Sequence, residues 1–161
     1  MIKISRKADY AVLIMASLAE RALTETGPQP TSAQEIADHS GLSRAVVANL
    51  LKALTRAGLL DSVRGANGGY HLAQPPGDIS LAQILEAVEG PLQLVECAAS
   101  LEPRPTDHRS TCNLFRTCPS RGAMRVVHDR VAGLMRQIRL PELLQLETRA
   151  SFSDPTLRSL R

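Results

Sequence analysis

The chain has 161 residues, of which 43% are hydrophobic, and a formal net charge of +3 from 19 basic and 16 acidic residues. Because it contains only two Phe, two Tyr and no Trp, its core must be built from aliphatic side chains, which favours packed helices over an aromatic-rich β-sandwich. The length allows one domain or a small domain with an appendage. No run of roughly 18 or more apolar residues occurs, so we expect no membrane-spanning helix.

The apolar stretch near the N-terminus predicts a first helix rather than a secretory signal. Asp9 and Tyr10 interrupt this stretch, whereas the apolar part of a signal is continuous. We therefore expect the chain in the cytoplasm, where thiols stay reduced. The helix is apolar on several sides and is expected to end near Leu23, before a Gly-Pro-Gln-Pro segment.

Two more helices are predicted directly afterwards. Ser32 and Glu35 form a capping-box pattern, in which each side chain satisfies an unpaired backbone N–H at a helix start, and the short helix that follows is expected to end about His39. After a glycine-containing turn, Ser43 can cap a third helix, which Gly58 ends. The apolar residues of this third helix share one face at helical spacing: Val46, Val47, Leu50, Leu51 and Leu54.

The second and third predicted helices have the order of a helix-turn-helix, in which the later helix enters the major groove of DNA. No acidic residue lies between Asp38 and Asp61, whereas three basic residues do: Arg44, Lys52 and Arg56. The outer face of the third helix is therefore basic. An ordinary helical hairpin with a solvated charged face would give the same two helices.

The next segment predicts a β-hairpin, which favours DNA binding over that alternative. Residues 59–63 and 70–73 have the character of strands, and the glycine-rich residues 64–69 between them form a flexible tip. A hairpin placed after a helix-turn-helix is a wing. Arg64 at its tip has the charge and length to enter a narrow minor groove.

Ser80 and Gln83 form a second capping box, which begins a short amphipathic helix that Gly90 ends. The segment that follows has no clear periodicity and contains all three cysteines, with fourteen residues between the first two and five between the last two: Cys97, Cys112 and Cys118. Because three is an odd number, complete disulfide pairing is impossible. Clustered thiols in a reducing compartment more often hold a metal or carry out redox chemistry.

A long final helix is predicted to begin at Pro119 and to end at Pro141. Its apolar residues form a single stripe: Ala123, Val127, Val131, Leu134 and Ile138. Such a stripe, placed after a complete small domain, favours a dimer over packing on the helix's own domain, and two-fold symmetry would match a palindromic operator in double-stranded DNA. The polar tail after Glu147 is expected to be disordered.

Three stretches resemble the Rrf2 family of bacterial transcription regulators: residues 1–12, the wing at 62–73 and the helix at 79–90. That family includes iron–sulfur regulators of the IscR and NsrR type and repressors of suf cluster-assembly genes, and Cys118-Pro119-Ser120-Arg121 resembles the suf subgroup. The resemblance covers about residues 1–145. It implies a mainly α winged helix-turn-helix fold with a small β-hairpin, and a homodimer whose long helix crosses onto the partner.

The resemblance also implies roles for residues of the third helix. Ser43 and Asn49 lie where the family places groove-reading residues, and the amide of Asn49 could pair with an adenine edge. Three cations are expected to contact phosphates and orient the helix: Arg44, Lys52 and Arg56. Arg64 of the wing would reach the minor groove.

The three cysteines are expected to ligate an iron–sulfur cluster, [2Fe-2S] or [4Fe-4S], because thiolates are soft ligands that suit such clusters as well as zinc. Family members can supply a histidine three residues after the last cysteine, but Arg121 stands there. The position that matches the acidic NsrR-type ligand is Asp9, so Asp9 of the partner chain is the preferred fourth ligand. His108 and His128 are alternatives, and Asp9 could instead be a first-turn residue that the helix dipole favours.

We predict a DNA-binding transcription regulator, a repressor of suf or isc genes whose cluster state controls operator affinity. The alternatives are a nitric-oxide- or iron-responsive member of the family, and a zinc or thiol-redox regulator without a cluster. An enzyme is not expected, because no Cys–His constellation with an orienting group emerges. The predicted parts are the DNA-binding domain (1–78), a connecting helix (79–95), the cysteine loop (96–118), the dimerisation helix (119–146) and the tail (147–161).

Overall fold

The computed structural model describes residues 3–24, 29–65, 67–94 and 117–144. In chain order its elements are α1 (Arg6–Thr24), α2 (Ala33–Ser40), α3 (Arg44–Arg56), β1 (Leu60–Val63), β2 (Gly69–Leu72), α4 (Leu81–Glu89) and α5 (Arg121–Gln137). This architecture confirms the predicted fold class of a mainly helical chain with a small antiparallel hairpin. No helix in the described ranges is long and apolar enough to cross a membrane.

Side-chain caps fix the starts of α2 and α4, as the sequence predicts. The Glu35 backbone N–H donates to Ser32 Oγ at 3.2 Å, and the Ser32 N–H donates to Glu35 Oε2 at 2.8 Å. At α4 the corresponding bonds join Gln83 N to Ser80 Oγ at 3.3 Å and Ser80 N to Gln83 Oε1 at 2.8 Å. Both predicted capping boxes are therefore confirmed, and each satisfies backbone donors that the helix itself cannot.

A single aliphatic cluster joins α1, α2, α3, the start of the hairpin and α4. α1 packs along α4 and also contacts β2, while α2 packs on α3. The largest fully buried side chains are aliphatic: Ile14, Met15, Ile36, Leu50, Leu51, Leu54, Leu59, Leu60, Ile79, Ile84, Leu140 and Val47. Each such side chain contributes on the order of 1.5–3 kcal/mol through burial, so this core holds α3 and the hairpin in a fixed relation.

The long helix differs from its prediction at both ends. α5 begins at Arg121, with Ser120 at the N-cap, rather than at Pro119. It ends at Gln137, so the expectation that Pro141 ends it is wrong, and Pro141 lies instead within helical residues 140–144.

Contacts with the start of α4 explain the early end of α5. The Leu81 N–H donates to the Ile138 carbonyl at 2.9 Å, and the Leu140 N–H donates to the Ile79 carbonyl at 2.9 Å. Ile138 adopts an extended conformation, with φ −67° and ψ 118°. Its N–H still donates to the Leu134 carbonyl of α5 at 3.2 Å, but its carbonyl accepts the Leu81 N–H and so turns away from the helix. This pairing places the end of α5 against the connection between the wing and α4.

The first capping box makes the free energy of unfolding depend on pH in the acid range. The Ser32 backbone N–H, and secondly the Ser32 hydroxyl, hold the pKa of Glu35 below its usual value of 4.5. A lowered pKa in the folded state means that this contribution is fully present above pH 4.5 and is lost as the pH falls through the folded pKa. Glu35→Gln should therefore destabilise the protein at neutral pH and converge with the wild type in acid, as measured by urea unfolding at several pH values.

The matched control lies in the second box, where the residue at the corresponding position is the uncharged Gln83. Ser80→Ala should reduce the free energy of unfolding by about 1 kcal/mol, at neutral and at acid pH alike. A Glu35→Gln effect that stays constant across the same pH range would show that the charge of Glu35 does not strengthen the cap.

Candidate nucleic-acid interface and cysteine ligands

The orientation of α3 is set by its buried face. Four of its residues are buried against the core: Val47, Leu50, Leu51 and Leu54. Because successive residues are rotated by about 100° around a helix, Asn49, Lys52 and Arg56 lie on the opposite side, and all three are exposed. Arg44 is exposed at the first turn. All four are among the residues that we predicted to contact DNA.

The turn between α2 and α3 requires a glycine. Gly41, at the C-terminal end of α2, has φ +67°, in the left-handed region that residues with a Cβ rarely adopt. Ser43 then caps α3 by accepting the Val46 N–H at 3.4 Å. The predicted cap is confirmed, and because the serine oxygen acts as the acceptor, its hydroxyl hydrogen can still be donated to a DNA atom.

The outer face of α3 presents positive charge to solvent. Among the described residues, none of Arg44, Lys52 and Arg56 forms an ion pair, whereas Arg125 pairs with Asp129 on α5. From Arg44 to Arg56 the helix rises about 18 Å, at ~1.5 Å per residue. Exposed, unpaired cations spread over this length can reach several phosphates along a major groove.

The predicted wing is present as an antiparallel hairpin. β1 and β2 pair in a register that runs from Leu60 opposite Leu72 to Val63 opposite Gly69. β1 starts one residue later than predicted, at Leu60 rather than Leu59. β2 starts one residue earlier than predicted, at Gly69 rather than Tyr70. Arg64 follows Val63 directly and is exposed, so it stands at the tip as predicted.

A contact that the sequence analysis missed joins the wing to the start of α2. The Thr31 N–H donates to the Tyr70 carbonyl at 2.9 Å, and the Tyr70 N–H donates to the Thr31 carbonyl at 2.8 Å. Thr31 is 3% exposed. The only local signal was the Gly68-Gly69 pair, which we interpreted as part of the hairpin tip, although Gly69 is a strand residue that lies close to another segment.

The described residues include only part of the predicted metal site. Cys97, Cys112 and the alternative ligand His108 lie outside them. Cys118 is half-buried just before α5, and its carbonyl accepts the Arg121 N–H at 3.4 Å. Asp9 is exposed in the first turn of α1. Within the described part of the chain, no group of three or more potential metal ligands comes together.

The alternative ligand His128 lies in the middle of α5. It is half-buried, and its Nδ1 is enclosed without a hydrogen-bond partner among the described residues. His128 is seven residues beyond Arg121, which corresponds to a rise of about 10 Å along the helix. A cluster held by Cys118 at the start of α5 would therefore lie far from His128 of the same chain.

A helix-turn-helix with a basic outer face, followed by a hairpin, defines the winged-helix class of DNA-binding proteins. A family model described as "Rrf2: Iron-dependent Transcriptional regulator" matches residues 4–146. The chain belongs to the Rrf2 family, as its sequence resemblance predicts, and it is a transcription regulator of that family.

Relatives of two kinds resemble the chain. The regulator CymR of Bacillus subtilis is 39% identical over 102 residues, which cover 63% of this chain and 71% of CymR. The regulator IscR of Citrobacter koseri is 28% identical over 153 residues, which cover 95% of this chain and 86% of IscR.

Solved structures of the same two regulators superimpose on this fold. The IscR structure from T. potens has a TM-score of 0.66 at 27% identity and covers 98% of this chain and 96% of its own. The structure of CymR, described as the global cysteine regulator of B. subtilis, has a TM-score of 0.64 at 30% identity and covers 96% of this chain and 100% of its own. Both are similar to this chain over almost its whole length.

The arrangement of α3 predicts different defects for two neighbouring substitutions. Lys52→Ala should weaken binding to all DNA sequences and reduce the slope of log affinity against log salt by about 1, because one phosphate contact is lost. Asn49→Ala should relax the preference for one base pair, at a cost of ~1–3 kcal/mol on the preferred site. Fluorescence anisotropy on duplexes selected from a random pool, at several salt concentrations, measures both quantities.

Arg136→Ala provides the control, since Arg136 is an exposed arginine of α5 outside the helix-turn-helix. This variant should retain both the salt slope and the sequence preference. A Lys52→Ala protein with the wild-type salt slope would contradict the phosphate contact.

Proposed function

We propose that this regulator is an iron–sulfur-dependent repressor of cluster-assembly (suf or isc) genes, which acts in the cytoplasm as a homodimer on a palindromic operator. The observation that carries the proposal is the position of the cysteines. All three lie between α4 and α5 in the sequence, and Cys118 is three residues before Arg121, the first residue of α5. A ligand held there would act on both helices.

The proposed ligands are three thiolates and one carboxylate: Cys97, Cys112, Cys118 and Asp9 of the partner chain. Thiolates suit an iron–sulfur cluster, while a carboxylate oxygen is a harder and more exchangeable ligand. When bound, the cluster supplies a centre that oxygen, nitric oxide or iron loss can alter. Asp9 supports this assignment by its exposure in the first turn of α1, because an exposed carboxylate is accessible to a second chain.

Two residues of the apolar stripe predicted for α5, Val127 and Leu134, are exposed together with the neighbouring Met124, which supports the homodimer. Ala132 is the one residue of this helix that its own chain buries. Met124, Val127 and Leu134 are 39%, 47% and 58% exposed, and they follow one another at spacings of three and seven residues. This spacing places them on one side of the helix. A second copy of α5 would cover these apolar side chains, and the resulting two-fold symmetry suits a palindromic operator.

The chain offers a direct physical route from the cysteine segment to DNA. The cysteine segment is continuous with α4 at one end and with α5 at the other. α4 packs on both α1 and α3, and the end of α5 pairs with the segment before α4. A change in the segment would alter the relation between the two copies, and hence the separation of the two α3 helices. In each copy, Ser43 and Asn49 would read the major groove, while Arg64 enters the minor groove.

The CymR relative supports a second candidate, a regulator that works through its thiols or through zinc without a cluster. CymR is 39% identical to this chain, and its solved structure is described as that of a cysteine regulator. A nitric-oxide- or iron-responsive member of the same family would use the same cysteines for a different signal. Iron and sulfide content separates the cluster-based candidates from the zinc and thiol ones.

The cluster proposal predicts distinct effects for two of its ligands. Cys118→Ala should abolish the visible thiolate-to-iron absorbance of anaerobically purified protein, because a soft ligand is lost. Asp9→Ala should retain iron and sulfide at first but shorten the lifetime of the absorbance in air. The measurements are absorbance spectra, iron and sulfide content, and the rate of bleaching.

The matched controls are Ser120→Ala beside the cysteine and Asp38→Ala, an exposed acid of α2; both should match the wild type. An Asp9→Ala protein with an unchanged spectrum and lifetime would remove Asp9 from the ligand set. A colourless wild type that takes up no cluster on reconstitution would favour the zinc or thiol candidate.

The dimer proposal predicts opposite results for two adjacent residues of α5. Val127 and Val126 have similar exposures, 47% and 54%, but they point about 100° apart around the helix. Val127→Glu should give a monomer, because it places a charge within the apolar stripe, whereas Val126→Glu should remain dimeric. Sedimentation velocity measures the difference, and a dimeric Val127→Glu protein would contradict the proposed interface.

A further inference from the structure

We propose that Gly69 is a positioning residue that docks the wing against the start of α2, so that the wing and α3 meet DNA as one rigid unit. This inference rests on the proposed contact between the wing and DNA. It assigns Gly69 a role in holding Arg64 at a fixed distance from the groove-facing side of α3.

The evidence begins with the backbone of Gly69. A Cβ built at this position would lie 2.4 Å from the Thr31 carbonyl oxygen, 2.5 Å from the Thr31 carbonyl carbon and 2.9 Å from the Ser32 nitrogen. All three contacts are with backbone atoms, so no flexible side chain can move aside. Gly69 is not among the glycines with positive φ. Close approach of two backbones, rather than an unusual backbone conformation, therefore requires glycine here.

The contacted segment belongs to the helix-turn-helix. Thr31 exchanges two backbone hydrogen bonds with Tyr70, the residue after Gly69. Ser32 is the N-cap of α2, and α2 packs on α3. Strand β2 is thus attached through residues 31 and 32 to the helix that supports α3.

The other strand is anchored independently. β1 follows α3 after a short turn, and the Leu59 N–H donates to the Leu54 carbonyl at 3.0 Å. Leu60, the first residue of β1, is 1% exposed. Each strand of the wing is therefore fixed to a different helix of the helix-turn-helix, and the wing cannot swing without breaking one of these attachments.

Fixed wings restrict how a signal can change DNA affinity. If each wing is rigidly docked, the cysteine segment cannot act by bending the wing away from the minor groove. The change must instead move one whole DNA-binding unit relative to its partner. Operators with altered spacing between half-sites should then respond to the state of the cysteine segment more strongly than isolated half-sites do.

Gly69→Ala is the test, with Gly77→Ala as its control, because a Cβ on Gly77 meets nothing within 4 Å. Gly69→Ala should weaken binding to a selected duplex by on the order of tenfold, as expected when one arginine contact is lost, while Gly77→Ala binds as the wild type. Arg64→Ala should give a similar loss. In the double variant the two losses should not add, because a displaced wing no longer brings Arg64 to the groove.

The outcomes distinguish the docking role of Gly69 from the proposed contact between the wing and DNA. If Arg64→Ala binds with wild-type affinity, the wing contact fails and the inference falls with it. If Arg64→Ala weakens binding but Gly69→Ala does not, or the two losses add in full, the wing contact stands and the docking role of Gly69 is overturned.

Hydrogen exchange of the wild-type protein tests the docking even if Gly69→Ala does not fold. Without DNA, the amides of Thr31 and Tyr70 should exchange as slowly as those of α3, because both donate hydrogen bonds at the docking contact. Exchange of the Tyr70 amide as fast as the Arg64 amide at the exposed tip would overturn the docked wing.

Discussion

The burial of four aliphatic side chains on the inner face of α3 is the interaction on which the rest of the molecule depends. Since Val47, Leu50, Leu51 and Leu54 pack into the core, the rotation of α3 is fixed and its basic residues face solvent. The same core includes Leu59 and Leu60, which set where the wing leaves the helix. A few nonpolar contacts thereby place both of the surfaces that are predicted to face DNA.

Local chemistry made the beginnings of α2, α3 and α4 predictable. A capping serine and its partner three residues later lie within one turn, so Ser32, Ser43 and Ser80 could be identified without tertiary information. The end of α5 could not be identified in this way. Ile138 leaves the helix to pair with the Leu81 N–H, a contact between residues distant in sequence. The Pro141 signal was local and was overridden by that pairing.

The residues of the candidate site were likewise predictable where a local pattern decides their position, and not where a distant contact does. Helical periodicity on α3 was enough to predict which of its side chains are exposed. Four of the predicted residues are indeed exposed: Arg44, Asn49, Lys52 and Arg56. The choice of Ser43 and Asn49 as groove-reading residues, and of Asp9 as a ligand, came from family resemblance, because spacing alone does not distinguish a ligand from a solvated acid. Gly69 was missed because its close neighbour, Thr31, is far away in the sequence.

The docking contact also gives the protein an intrinsic optical reporter. The chain has no Trp and only two Tyr, so no indole group dominates its ultraviolet emission. Tyr70 is half-buried beside Thr31, and Tyr10 is half-buried on α1. With Tyr10 replaced by Phe, all tyrosine fluorescence would come from strand β2 of the wing, at its contact with Thr31. Its intensity and anisotropy would report the local environment there without any attached dye.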